Sequence, residues 1–417
     1  MATRPNIPLE RYKYTISDII LTADGFEEPI TIRKDFIRSF SQINDYDNAI
    51  SPKIMLSFQV EKEFYEPIIL NMNTLVATFT ISKIFVGAIT ESNDLASDDI
   101  EQEHVWREIT LKAVNDDNIS TGNANKILED EVYKDESIDN SQQTAMINLL
   151  LYDNSNIAKY RKNNYYIING SKNDVLYNFL KDRSFTNILM SSTDNAGGTY
   201  AIPYGHMGDN LASLNNLYGI YTTPYLFFMD LDTIYLLEKG KVGSTLKKDE
   251  LKTVSIYLEK ESTGTFIDNG SYTDTEHNMY ILNTSNFEIC DNDSTMDYAV
   301  GGRLKTVIGG TGEVKEDKFG DYDVERTVFV DNALQHNQIV YSIKEQRRSI
   351  ILTFGNIDLS IVTPNKKYTL LPDESFYNSK YQIKGDYRLS KMMLFIRRTA
   401  DDEMSSSVQL YLNKIPD

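Results

Sequence analysis

The stretch LNNLYGIYTTPYLFFMDLDTIYLL, residues 214–237, gathers more large apolar and aromatic side chains than a surface loop tolerates, so any fold of this chain must place a core here. With Leu211 just ahead, the spacing of Leu211, Leu214, Leu217 and Tyr218 predicts one face of a helix that begins after Asp209 and stops at Gly219. Glycine suits that stop because it takes the left-handed cap without strain. Thr222-Thr223-Pro224 then forbids further helix, and Tyr225 to Met229 alternates aromatic and aliphatic residues as a buried strand does. Asp230-Leu231-Asp232 supplies a turn, and the chain returns through Ile234 to Leu237. The segment reads as a helix delivering a hairpin into a core.

At 417 residues the chain exceeds a usual single core, which predicts two or three domains stabilised by burial alone. The single cysteine, Cys290, leaves no internal disulfide and agrees with folding in a reducing cytoplasm. The start, MATRPNIPLERYKY, has no apolar run suited to a signal peptide, and no stretch reaches membrane-spanning length, so a soluble, non-exported protein is expected. Lysine and arginine total 42 against 61 aspartate and glutamate, a formal charge of −19. This argues against a nucleic-acid gripper, which needs a concentrated basic surface. The basic pairs Arg347-Arg348 and Arg397-Arg398 lie within apolar, strand-like runs and are expected to pair with carboxylates. An acidic wall repels phosphates and lets a nucleic acid pass without sticking; the same charge also simply keeps a protein soluble.

The first hundred or so residues read as antiparallel sheet. YKYTISDIILT and PITIRKDFIRSF flank a turn at Asp24-Gly25, KIMLSFQVEKE alternates Ile54, Leu56, Phe58 and Val60, and TLVATFTISKIFVG is rich in β-branched and aromatic residues. Between the last two, FYEPIILNMN suggests a short helix or irregular crossover, and the set suggests a small barrel or sandwich. WREITLKAV is a further strand, followed by a polar, acidic segment that cannot bury enough apolar area to order itself, and mobility and protease sensitivity are expected there. TAMINLLLYD reads as helical, with Ala145, Met146, Leu149 and Leu150 on one side. Ser171 and Asp174 match a capping box ahead of Val175, Leu176, Phe179 and Leu180. From about residue 251 the pattern is strands with almost no helix signal, QIVYSI among them, separated by long polar loops.

Chemistry-bearing patterns are sparse. His104, His206, His277 and His336 have no second histidine at metal spacing, and the last two read as loop residues. Ser271, Asp274 and His277 form a local cluster without a nucleophile elbow. Asp291, Asp293 and Asp297 lack the turn glycine and closing glutamate of a calcium loop, which favours a solvated acidic turn. The glycine-rich pieces YGHMGD and IGGTGE lack the lysine of a phosphate loop and read as turns. One tryptophan, Trp106, is few for a sugar cleft, although 27 tyrosines, as in KNNYYIING, keep carbohydrate binding or cleavage as a rival reading. No catalytic, cofactor-binding or metal-binding residue is assigned.

Three stretches carry a resemblance to a known family: RKDFIRSFSQINDYDNAISPKIMLSFQVEKEFYEPIILN; YAIPYGHMGDNLASLNNLYGIYTTPYLFFMDLDTIYLLEK; and YQIKGDYRLSKMMLFIRRT with SVQLYLNKI. Their order resembles the central hub protein of phage tail baseplates, related to the hubs of contractile injection systems. The resemblance implies an α+β, mainly β fold with two tube-type β-barrel domains and a mixed α/β middle domain. The implied boundaries are 1–112 for the first barrel, 113–142 for an acidic linker or mobile loop, 143–250 for the middle domain, and 251–417 for the second barrel with long loops. It further implies a non-enzymatic, structural virion protein, assembled in the host cytoplasm, that forms a homotrimer between tail tube proteins and a central spike or tail lysin. Baseplate wedge proteins would surround it, and DNA would be met only in transit through a lumen. The dense hairpin segment would then brace the barrels.

Overall fold

A computed structural model describes residues 9–89, 103–113, 144–181, 185–193, 197–244, 251–259, 269–283, 287–291, 302–319, 325–345, 348–372, 383–399 and 403–416. Apart from Ala113, the acidic segment 113–142 lies outside these residues, as do Asp293, Asp297 and Arg347. Among the described residues no helix is long and apolar enough to cross a membrane.

The protein is mainly β, with α+β character. Its dominant feature is one 16-stranded sheet to which both halves of the chain contribute. In the N-terminal part, Leu9–Ile16 pairs with Val76–Ile89, which pairs with Glu103–Ala113, and Lys53–Glu61 lies between Ile37–Asp45 and Thr144–Tyr152. The alternation of Ile54, Leu56, Phe58 and Val60 does what period two requires: all four are buried, facing one core. The proline-containing crossover is a helix, Lys62–Leu70. In the C-terminal part, Gly385–Arg398 pairs along its length with Met404–Lys414. Its other edge is shared: residues 385–388 pair with Lys367–Pro372, and residues 391–397 pair with Ile37–Asp45. The register shifts between Leu389 and Lys391, and the extra residue, Ser390, marks the place where one partner gives way to the other. The hydrogen-bonded path that leaves through Lys367–Pro372 runs through Thr253–Glu259, Asn278–Asn283 and Leu9–Ile16 and returns through Ile37–Asp45, a closed circuit.

Two local expectations are corrected. Residues 144–152 are a strand, Thr144–Tyr152, and not a helix. A short apolar run fits both periods, and here the open edge of Lys53–Glu61 decides between them; Ile147, Leu149 and Leu151 alternate into the core. The second correction is a helix, Ala333–Glu345, where QIVYSI reads as strand. Asn332 Oδ1 accepts from the backbone of Leu334 and Gln335 at 3.0 and 3.3 Å, while Gln335 Oε1 accepts from Asp331 and Asn332 at 2.7 and 3.3 Å. This reciprocal cap, Asn-x-x-Gln, is the signal that sequence reasoning passed over.

The opening segment folds as expected in kind, as the helix Met207–Tyr218 followed by the hairpin Tyr225–Asp230 and Thr233–Glu238, with Asn187–Met190 added in parallel. The helix begins three residues earlier than its pattern implies. It buries Leu211 and Leu214, while Leu217 faces solvent. The hairpin is a wall between two cores. Leu226, Phe228, Tyr235 and Leu237 join the large-sheet core, and Phe227, Met229, Ile234 and Leu236 pack with Leu211, Leu214, Leu176 and Leu180 on the other side. A strand covered on both faces needs a continuous apolar run, which is why residues 225–237 contain so little else. The Ser171 cap is present, its hydroxyl accepting from Asp174 N at 3.2 Å ahead of the helix Lys172–Leu180. The glycine-rich turn at Ile308–Glu313 joins Gly302–Ile308 to Val314–Phe319, which with Glu325–Val330 form a separate three-stranded sheet.

Candidate functional site: the junction of sheet, hairpin and helix

Where the shared edge changes partner, four distant pieces of chain meet around one buried arginine. Arg388 precedes the Ser390 bulge and is 1% exposed. Its Nε donates to Glu345, the last residue of the Ala333–Glu345 helix, and its Nη2 donates to Asp47 at 2.7 Å, in the turn after Ile37–Asp45. Lys239, directly after the hairpin, reaches the other oxygen of Asp47 at 2.6 Å. Two cations thus face two carboxylates, and the buried charge is balanced. Burial disfavours the charge on Arg388, but the bond to Glu345 and the Asp47 charge outweigh it and raise its affinity for the proton above that of ordinary arginine. Burial likewise opposes ionisation of Asp47, and Arg388 and Lys239 overcome it, holding its carboxyl below the usual range. The bulge itself is tied in: Ser390 O accepts from Tyr46 N at 3.0 Å, and its hydroxyl donates to Tyr411 O at 2.9 Å.

The hairpin is clasped to the N-terminal strands at further points. Phe228 meets the Tyr46 ring edge-on at 4.7 Å, Met229 N donates to Ile50 O at 2.7 Å, and Arg107 holds Asp230 by both oxygens at 3.3 and 3.2 Å. On the other side Asn215 and Gln338 exchange amide bonds at 2.9 and 3.0 Å, and Gln338 also donates to Tyr221 O at 2.8 Å. Gly219 lies at this contact with φ +67, and a Cβ there would meet Leu334 at 2.7 Å. Conformation and space both demand glycine. Buried tyrosines do similar work elsewhere: Tyr14 Oη accepts from Leu359 N at 2.7 Å, and Tyr280 donates to Asp358 O at 2.6 Å. Burial raises both hydroxyls well above the phenol range, so they stay neutral. Arg388, Glu345, Asp47, Lys239, Asn215 and Gln338 are each engaged with a distant part of the chain, an arrangement that fixes position.

The residues singled out from sequence are dispersed. Ser271 is buried, donating to Glu10 O at 3.3 Å and accepting from Asp358 N at 3.1 Å, which leaves its hydroxyl engaged with backbone. Asp274 and His277 do meet, at 3.2 Å, in an exposed turn where the backbone N–H of Glu276 is the main cause lowering the Asp274 carboxyl to about 2, with Tyr272 and His277 adding to it. His336 is no loop residue: it sits buried in the Ala333–Glu345 helix, between Asp317 at 2.7 Å and Thr306 at 3.0 Å. His206 precedes the Met207–Tyr218 helix, and His104 and Trp106 lie on the strand Glu103–Ala113. Asp291 and Cys290 end the strand Phe287–Asp291. Arg398 caps backbone carbonyls, donating to Ile37 O at 3.2 Å and to Lys34 O, and approaches Asp35 at 3.8 Å. Among the described residues no three His, Cys, Asp or Glu side chains converge as a metal site would require. Sequence reasoning missed Arg388, Glu345, Asp47 and Lys239, since isolated charges carry no local mark of burial.

Comparison with known proteins gives three findings. A family model described as bacteriophage PBS1 gene 109 protein matches residues 7–415. No curated protein matches the chain. Among solved structures, the tail protein from Neisseria meningitidis MC58 is similar in fold at 11% identity and a TM-score of 0.55, over 96% of this chain and 97% of that one. The 43 kDa tail protein of prophage MuSo2 from Shewanella oneidensis is similar at 10% identity and a TM-score of 0.50, over 96% and 99%.

Proposed function

The chain belongs to the bacteriophage PBS1 gene 109 protein family and has the fold of phage tail proteins, and on that premise we propose that it is the structural hub of a tail baseplate. In this reading three copies form a ring that joins tail tube proteins to a central spike or tail lysin, with wedge proteins outside and a lumen through which DNA leaves. Its role is mechanical and not catalytic. The observation that carries the proposal is the closed circuit of strands sealed at Ser390 and locked by Arg388, Asp47, Glu345 and Lys239. A ring that transmits load from tube to spike needs its N-terminal and C-terminal β regions held as one rigid body, and this junction supports that requirement.

The net charge of −19 supports the same reading if carboxylates gather on the inner wall, because DNA within a Debye length of about 8 Å is repelled by them and slowed by lysine or arginine. Native mass spectrometry of the pure protein is expected to show a trimer, and labelled antibody is expected to mark the tube–spike boundary of tails. A stable monomer at high concentration, together with absence from purified tails, overturns the hub. A neutral or basic lumen in the assembled ring removes the charge argument alone.

A further inference from the structure

Two stretches that the fold brings together are free of carboxylates. Residues 154–173 and 197–208 contain neither Asp nor Glu, although Asp153, Asp174 and Asp209 border them and Asp174 Oδ2 accepts from the Ser171 hydroxyl at 2.6 Å. The two stretches carry Lys159, Arg161 and Lys162, and also Lys172, which is buried. The strands Tyr166–Ser171 and Gly197–Ile202 pair antiparallel, and Lys162–Asn163 pairs with Gly205–His206, so the two stretches make one surface. Its inner face, with Tyr166, Ile168 and Ile202, packs on the second core. Its outer face leaves Tyr165 62%, Ile167 56% and Tyr204 63% exposed, and Tyr160, in the same stretch of chain, is 54% exposed. Lys162 Nζ stands 5.8 Å over the Tyr204 ring, and Lys159 Nζ stands 5.0 Å over Tyr160. Among the described residues neither lysine pairs with a carboxylate.

We propose that this surface docks a carboxylate-rich segment of another protein. On so acidic a chain, a surface whose Lys159 and Lys162 pair with no carboxylate among the described residues is complementary to a partner that brings carboxylates. Aromatic rings beneath the two ammonium groups restrict their motion, so less ordering is required on binding. The tyrosine rings and Ile167 add apolar area, which fits a segment whose acidic residues alternate with apolar ones. Duplex DNA fits less well, because a few cations on a chain of −19 release few counterions. A neutral glycan would use the tyrosines and leave the lysines without a role. The inference goes beyond the hub assignment and does not depend on it.

Fluorescence anisotropy with the full chain tests it, using a labelled peptide of alternating glutamate and leucine, its glutamine counterpart, a labelled DNA duplex and a labelled oligosaccharide. The glutamate peptide is expected to bind in a salt-sensitive manner, with at least about tenfold loss for the glutamine peptide and for the Lys159→Glu, Lys162→Glu double variant. Equal binding of the two peptides, no binding of either, or a response of duplex or oligosaccharide to the lysine substitutions in place of the peptide would overturn the proposal. The peptide exchange leaves the protein unaltered and keeps the test valid should the double variant misfold. Native mass spectrometry of the same samples reports the ring separately, so failure of docking and failure of the hub are distinguishable.

Discussion

The hairpin Tyr225–Glu238 and the three-stranded sheet within Gly302–Val330 are both built of short β-strands and end in opposite environments. In the hairpin, successive residues Leu226, Phe227, Phe228 and Met229 are all buried, alternately in one core and the other. In the small sheet, Leu304, Thr306 and Ile308 point inward while Arg303 and Lys305 intervene, and the outer row Val307, Val314 and Phe329 lies side by side, with Phe329 79% exposed. A continuous apolar run thus marks a strand with two covered faces, and an alternating one a strand with a single covered face. An exposed phenylalanine adds nothing to depth by itself.

The contrast is broken most directly by truncating one phenylalanine in each region. Phe228→Ala is expected to cost about 3–5 kcal/mol by urea unfolding, and Phe329→Ala less than about 0.5 kcal/mol. A comparable loss at both positions would mean that the outer face of the small sheet is covered. Charge gives the next contrast. Arg388→Met should cost about 3 kcal/mol or more, because Glu345 and Asp47 are left buried without their partner. Lys305→Met, whose pairs with Glu316 and Glu325 are both 3.9 Å long and partly exposed, should change stability by less than about 1 kcal/mol.

Acid sharpens the same point. Asp47 has a folded pKa below its unfolded value, so its contribution is full above pH about 4 and is lost as pH falls through the lower, folded value. Unfolding midpoints measured from neutral pH downward should therefore fall less steeply in Asp47→Asn than in the unaltered protein, and parallel acid limbs would refute the assignment. The smallest contrast concerns two glycines. Gly219→Ala meets both a left-handed backbone and the Leu334 side chain at 2.7 Å and should cost about 2 kcal/mol, whereas Gly310→Ala, at φ +81 with open space around it, should cost about 1 kcal/mol. Differential scanning calorimetry of the two variants separates strain from crowding.

Features set by a few neighbouring residues were legible in the sequence: the Ser171 cap, the stop at Gly219, the turn at Asp230-Leu231-Asp232, the alternation of Lys53–Glu61, and the mainly β composition. Each is a backbone preference or a period that needs no distant partner. Whether Thr144–Tyr152 is strand or helix depended on the open edge of Lys53–Glu61, some ninety positions away, and local propensity is too weak to outvote a row of ladder hydrogen bonds. Helix Ala333–Glu345 was written locally, in Asn332 and Gln335, but β-branched residues inside it masked the cap. Only the tertiary structure decided that Asp47 and Arg388, 341 residues apart, share a buried bond, and that one edge of Gly385–Arg398 serves both ends of the chain. A charge reads the same in sequence whether water or protein surrounds it, and only packing removes the water.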